Sequence, residues 1–90
     1  MKQIRKTTQF KKDFKRFRHD MDAVTELLTI VRLLEQGKDL PKANKPHPLQ
    51  GKWKNHMECH IGNDYLLIWY DKIRDVVELV RLGSHSELFG

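Results

Sequence analysis

Six consecutive residues limit what this 90-residue chain can fold into more than any other feature. Tyr65-Leu66-Leu67-Ile68-Trp69-Tyr70 is apolar at every position. Side chains of a strand alternate between its two faces, so a strand with no polar position needs cover on both sides. That predicts a central strand. Turn residues bound it, with Gly62-Asn63-Asp64 reading as a hairpin turn before it and Asp71–Asp75 as a second turn after it. Upstream, from Lys52, the period is two. Trp53, Met57, Cys59 and Ile61 fall on one face, and Lys54, His56, Glu58 and His60 on the other. Downstream, Val76–Leu82 is another apolar strand that stops at Gly83. Together these make an antiparallel β-meander.

Cover for one face of that sheet is supplied by the first third of the chain. Thr7 and Thr8 offer an N-cap hydroxyl, and Phe10, Phe14 and Phe17 follow at helical spacing. Asp20 or Asp22 can cap a second helix, in which Val24, Leu27, Leu28, Val31 and Leu34 form the apolar stripe and Gly37 the terminator. The link between the two helices is short, so they form an antiparallel hairpin. With a short first strand at Gln3–Lys6, the fold class is α+β: strand, helical hairpin and β-meander. A chain this short buries only about 60% of its unfolded surface, so residues 1–90 are read as one domain with one core.

Residues 37–51 hold all three prolines and read as a long structureless connection, which in a small domain is usually functional. Pro46 and Pro48 bracket His47 and restrict its backbone. After Gly83 come Ser84-His85-Ser86, then Leu88-Phe89, an apolar pair able to dock that segment on the body of the protein.

Composition narrows the classes. No apolar run is long enough to span a bilayer. The cationic start has no apolar stretch behind it, so it is not a secretory signal. One cysteine, Cys59, excludes an internal disulfide framework and fits a reducing cytoplasm. The formal charge is +5, concentrated at one end. Residues 1–18 carry eight basic residues against Asp13 alone, a net of +7, and the remaining residues a net of −2. Lys11, Lys12, Lys15, Arg16 and Arg18 make the first helix basic on the side away from its phenylalanines. Such a cluster suits a polyanion or an acidic partner, and equally a solvated helix face.

The polar face of the His56–His60 stretch is either plain solvent surface or the floor of a site. The hairpins bring His60, Asp64, Arg81 and His85 to one end of the sheet, and the proline loop adds His47. Imidazoles, a carboxylate and a guanidinium form an acid–base set with an anion clamp. A zinc reading competes. However, His56 and His60 stand four strand residues apart, about 13 Å, too far for one tetrahedral ion. His56-Met57-Glu58 matches half of a zinc deaminase signature, and the Cys-rich half is absent. No metal or cofactor is expected. Without a metal, these groups suit transesterification of RNA, in which a base takes the ribose 2′-OH proton, an acid protonates the leaving 5′-oxygen and cations hold the phosphorane.

Three ordered motifs carry a family resemblance. Pro46-His47-Pro48-Leu49-Gln50-Gly51-Lys52-Trp53-Lys54, then Glu58-Cys59-His60-Ile61 with Asp64, then Arg81 to Gly90 resemble the YafQ-type toxins. These are a branch of the RelE/ParE superfamily of bacterial type II toxin–antitoxin systems. The resemblance implies a ribosome-dependent mRNA endonuclease that cuts the codon in the A site, and a cognate antitoxin that folds onto the toxin and blocks it. It implies His47, His60, Asp64 and His85 as catalytic positions, with His85 as proton donor and Asp64 or His60 as base. It implies Lys52, Trp53, Lys54, Glu58, Tyr65, Arg81 and Phe89 as RNA contacts, Tyr65 standing where family members can carry Trp. The free toxin is expected to be a monomer, its partners being antitoxin, mRNA and ribosome rather than a membrane. Two alternatives remain: a ParE-like gyrase inhibitor and a non-catalytic RNA- or ribosome-binding module.

Overall fold

The all-apolar run becomes the middle of the molecule. In the computed structural model, which describes residues 1–71 and 74–90, Tyr65–Tyr70 is strand β4 of a five-stranded sheet in the order β1-β5-β4-β3-β2. Strand β3 (His56–Ile61) and strand β5 (Val76–Gly83) flank it, both antiparallel. The helical hairpin is α1 (Thr8–Phe17) and α2 (Met21–Glu35). Thr7 caps the first, accepting a hydrogen bond from the Phe10 N–H at 2.9 Å, and Asp20 caps the second.

Each face of β4 has its own cover. Leu67 and Trp69, with Cys59, Ile61, Val77, Leu79 and Leu82 of the neighbouring strands, pack against Phe10 and Phe17 of α1 and Ala23, Leu27, Ile30 and Leu34 of α2. Leu66 and Ile68 point the other way and meet Leu88, with half-buried Leu49, Trp53 and Val80 around them. Leu88 belongs to α3 (His85–Phe89), a five-residue helix laid against this second face. The helices therefore occupy one face and leave most of the other to the polar residues of β3.

The expected antiparallel meander is β3-β4-β5, and β1 (Gln3–Lys6) joins its β5 edge in parallel, which makes the sheet mixed. Other expectations are corrected. The buried stripe of α2 is Ala23-Leu27-Ile30-Leu34. Leu28, expected in it, is 53% exposed, because the buried side of the helix runs through Ala23 and Ile30 and turns Leu28 outward. Residues 37–51 are not structureless. Lys42–Asn44 form a turn and His47–Pro48 form β2, antiparallel to β3. The Asn44 amide donates to Glu26 Oε2 and to the His60 carbonyl, both at 2.8 Å, and Gly62 N–H donates to the same Glu26 oxygen at 2.9 Å. This ties the proline segment to α2 and β3. Pro48 sits on the edge strand, where its missing N–H costs no ladder bond.

The period-two reading begins too early. Gly51–Trp53 is a turn and Asn55 has φ +74°, so β3 starts only at His56. Trp53 consequently joins Leu66, Ile68 and Leu88, on the opposite face from Met57, Cys59 and Ile61. Lys54 likewise lies outside the strand. Of the Leu88-Phe89 pair only Leu88 docks, at 7% exposed against 39% for Phe89. The expected turn over Asp71–Asp75 includes residues 72 and 73, outside the described residues.

Candidate active site

The second face of the sheet gathers most of the chemistry expected of it. Cross-strand register places His47, Glu58, Ile68 and Arg81 in one row from β2 to β5, and His60, Leu66 and Gly83 in the next. Residues directly opposite share a face. From His60 to Gly83 is two strand spacings, about 10 Å. Two residues beyond Gly83 the chain enters α3 at His85.

A β-bulge decides that Arg81 belongs to this face. Trp69 pairs with Leu79 but Ile68 with Arg81, so Val80 is an extra residue in β5. Val77 and Leu79 face the helices, and strict alternation would send Arg81 there too. The bulge resets the phase, so that Leu82 faces the helices and Arg81 shares its row with Ile68. The broken alternation Val76-Val77-Glu78-Leu79-Val80-Arg81-Leu82 was the only sequence signal of it.

His47 is held at both ring nitrogens. Nδ1 donates to the Lys45 carbonyl at 2.7 Å, and Nε2 lies 3.0 Å from Glu58 Oε1. Both ring nitrogens thus face oxygen acceptors. The Glu58 side chain is only 8% exposed, and its Oε2, like Trp53 Nε1, is buried without a partner among the described residues. Trp53 borders His56, ring centroids 5.4 Å apart, and His56 in turn packs on Tyr70 at 5.1 Å.

His60, Asp64 and His85 differ from His47 in making no side-chain hydrogen bond among the described residues. His60 is half-buried on the floor, Asp64 is exposed on the hairpin tip, and His85 is exposed at the start of α3. The His85 ring lies 5.3 Å from that of Phe89, one helical turn on. A capping box holds the helix start, Ser84 N–H donating to Glu87 Oε1 at 2.7 Å and Glu87 N–H to Ser84 Oγ at 3.2 Å. That hydrogen bond from the Ser84 backbone is the main reason the Glu87 carboxyl titrates below its ordinary value. A side chain at Gly83 would be tightly placed, since a Cβ there would stand 3.1 Å from Glu87 Oε1 and 3.4 Å from Leu88 Cδ2, and the capping carboxylate would have to give way slightly.

Arg81 is gripped by Asp13 of α1. Its Nε donates to Asp13 Oδ2 at 2.8 Å and its Nη2 to Oδ1 at 3.4 Å. Leu82 N–H, Gln9 and Arg16 also donate to this carboxylate, at 3.0, 3.0 and 3.3 Å. Burial alone would raise the Asp13 carboxyl. The Arg81 fork, the Leu82 amide and Gln9 outweigh it and hold the group below its ordinary value.

Not every expected residue reaches this face. Tyr65 packs on the helical side, edge-on to Phe17 with centroids 4.6 Å apart, and is not beside His60. Burial, then Asp20, push its phenol above the usual range. Lys52 and Lys54 are exposed on the turn before β3. The basic set divides. Lys11, Lys15 and Arg18, with Lys6, rim an apolar groove floored by Phe10, Phe14, Leu27, Leu28 and Val31. Arg16 instead bridges Asp13 and Glu87, 3.6 Å from the latter, and Lys12 is exposed. Cys59 is buried on the helical side, and that burial, with Glu26 and Glu58 near, pushes its thiol up to about 12; it is packing and no nucleophile. No group of three His, Cys, Asp or Glu among the described residues is placed to hold a metal ion.

Sequence reasoning missed Asp13, Glu26 and Asn44. For Asp13 a signal existed, because it lies three residues after Phe10 and four before Phe17, inside the apolar stripe. Glu26 and Asn44 left no such mark.

A sheet with a helical hairpin on one face and a histidine-rich floor on the other, closed by a short helix after β5, is the architecture of a small bacterial toxin. The whole chain compares closely with proteins of that class. Residues 2–90 match the family described as the bacterial toxin of type II toxin–antitoxin system, YafQ. The mRNA interferase toxin YafQ of Escherichia coli strain K12 is 38% identical over 86 residues, 91% of this chain and 89% of that protein. A copper-bound mutant toxin from Helicobacter pylori superposes with a TM-score of 0.90 at 36% identity, covering 99% of this chain and all of the other. YafQ in the E. coli DinJ–YafQ complex superposes at 0.86, with 31% identity and full coverage of both chains. The chain belongs to the YafQ family of type II toxin–antitoxin toxins.

Proposed function

We propose that this toxin is a ribosome-dependent endoribonuclease that cuts mRNA in the A site and is silenced by a cognate antitoxin. The observation that carries the reading is the common face holding the His47–Glu58 pair, His60 and Arg81 beside the helix of His85. The reaction is transesterification. The ribose 2′-oxygen forms a bond to the adjacent phosphorus as the bond to the 5′-oxygen breaks. His60 or Asp64 takes the 2′-OH proton, and His85 supplies one to the departing 5′-oxygen. Arg81 and His47 stabilise the charge that grows on the phosphorane oxygens. Lys52, Trp53, Lys54 and exposed Phe89 line the approach for the message. The reading fits the names of the relatives, which are mRNA interferases.

The antitoxin reading draws on the DinJ–YafQ complexes. The groove between α1 and α2 has an apolar floor and a rim of Lys6, Lys11, Lys15 and Arg18, and no acid lines it. An amphipathic antitoxin segment with acidic flanks is its complement.

Induced expression of wild type and His85→Ala, with primer extension on a translated reporter, tests the nuclease reading. Growth arrest and in-frame cuts are expected from the wild type, and neither from the mutant, which still folds and binds antitoxin. Arrest without cuts, unchanged in the mutant, would move the assignment to a gyrase inhibitor or a non-catalytic binding module.

A further inference from the structure

We infer that Asp13 is a positioning residue for the cleavage reaction, which orients Arg81 and anchors the strand end that delivers His85. The inference rests on the nuclease reading and adds a residue on the opposite layer to it. An ionised carboxylate is costly to bury, and the Asp13 side chain has no exposed surface. It lies between Phe10 and Phe17 on α1, where an apolar residue would fill the stripe at less cost. Its partners say what it supplies instead.

Strand β1 stops pairing at Lys6, opposite Leu79, so β5 continues to Gly83 with an open edge. Side chains of the α1 start then stand in for a strand. Thr7 Oγ1 donates to the Val80 carbonyl at 2.9 Å, and Asp13 accepts the Leu82 N–H at 3.0 Å. Leu82 is three residues before His85. Arg16, 3.3 Å from Asp13, reaches Glu87 of the α3 cap at 3.6 Å. Thus α1 holds the junction between β5 and α3 at two points.

The grip on Arg81 is directional. A guanidinium has five N–H donors in a rigid plane, and the Asp13 fork takes two, through Nε and Nη2. Three remain, on a side chain 22% exposed whose strand position the bulge has turned to the catalytic face. A phosphate that meets this edge finds a plane already oriented, which lowers the reorganisation needed as charge develops.

A double-mutant cycle separates positioning from mere stability. Single-turnover cleavage on ribosomes programmed with a defined codon is measured for wild type, Asp13→Asn, Arg81→Ala, the double mutant and Arg81→Lys, with His85→Ala as the inactive control. Folding is followed by thermal melting and antitoxin binding. Asp13→Asn keeps the volume and loses the charge and the fork. It should slow the saturated rate at least tenfold. In the Arg81→Ala background the same change should alter the rate less than twofold while still lowering the melting temperature. Arg81→Lys keeps the charge and leaves Asp13 partnered, so it folds even where Asp13→Asn does not, and it should also be at least tenfold slow. Equal losses from Asp13→Asn in both backgrounds would make Asp13 structural only and overturn the inference. So would a wild-type rate in Arg81→Lys, or an unimpaired Arg81→Ala beside an inactive His85→Ala, an outcome that leaves the nuclease reading standing. A wild type that cuts nothing on the ribosome removes that reading and this inference with it.

Discussion

Leu88→Ala should detach the helix that carries His85 without unfolding the protein. Five residues are far too few for a helix to persist alone, so α3 depends on what it packs against. Its anchors are unequal. Leu88 is buried against Leu66 and Ile68. The Arg16–Glu87 pair is surface-exposed at 3.6 Å, a class of contact worth about 0–1 kcal/mol. Leu→Ala in a core costs about 2–5 kcal/mol, and a cluster of three buried residues with half-buried neighbours can partly collapse, which points to the lower end, about 2 kcal/mol. At about 1.4 kcal/mol per decade, that shifts the docked-to-undocked ratio of α3 roughly 30-fold. The main core has no contact with Leu88 in its cluster and should not respond. Hydrogen exchange reads this directly: the Leu88 amide, bonded to the Ser84 carbonyl, and the Gly90 amide, bonded to Ser86, lose protection while β4 amides keep theirs. Cleavage should fall by up to roughly 30-fold, with binding of the antitoxin groove intact. Loss of protection in β4 together with α3 would mean that α3 is part of the cooperative core. Full activity in a protein with unprotected α3 amides would mean that docking of His85 is unnecessary. Either result refutes the reasoning.

Acid should weaken the fold through Asp13. Its carboxyl titrates lower in the folded state, so the folded form binds fewer protons than the unfolded chain. Its contribution is complete above the ordinary value of 3.8 and is lost as pH falls through the folded one; urea melts from pH 5 to 2 should show a steep decline that Asp13→Asn flattens at the low end. Leu28→Lys places a fifth cation in the groove between α1 and α2 at a site already 53% exposed, so titration calorimetry should show antitoxin affinity reduced at least tenfold with the melting temperature and free-toxin cleavage unchanged.

Where a residue type and a period acted together, the sequence was readable. The unbroken run Tyr65–Tyr70 could only be a strand covered twice, and it is the middle one. Phe10 and Phe17 marked the buried side of α1. Residues 84–89, expected only as a docked segment, contain a helix whose capping-box spacing Ser84-x-x-Glu87 was present in the sequence. Failures came where a single backbone event changed the phase. The left-handed Asn55 and the turn at Gly51–Trp53 put Trp53 on the other face, whereas the extra Val80 leaves Arg81 on the face expected of it. Alternation carried back through such a point gives the earlier residue the wrong side, while Met57, Cys59 and Ile61 keep theirs. Tyr65, expected among the RNA contacts from the resemblance alone, is the partner of Ile61 and shares the helical face with Phe17.

The two buried charged residues among those described are Asp13 and Glu58, and their placement explains how the face is tuned. Each stands at one margin of the sheet surface, Glu58 beside β2 and Asp13 beside the free edge of β5. Each grips one side chain able to carry positive charge: His47 at 3.0 Å and Arg81 at 2.8 Å. Neither acid is placed for packing alone, since an apolar residue would pack as well without desolvating a carboxylate. With these two side chains fixed, His60, Asp64 and His85 are without side-chain hydrogen-bond partners among the described residues. Groups that must take up and release protons work best with their lone pairs unengaged, whereas groups that must stabilise developing charge work best when already immobile. The division of bonded and unbonded side chains on this face follows that distinction. On the proposed nuclease reading, His47 belongs with Arg81 among the fixed side chains, and the proton transfers fall to His60, Asp64 and His85, which make no side-chain hydrogen bond among the described residues.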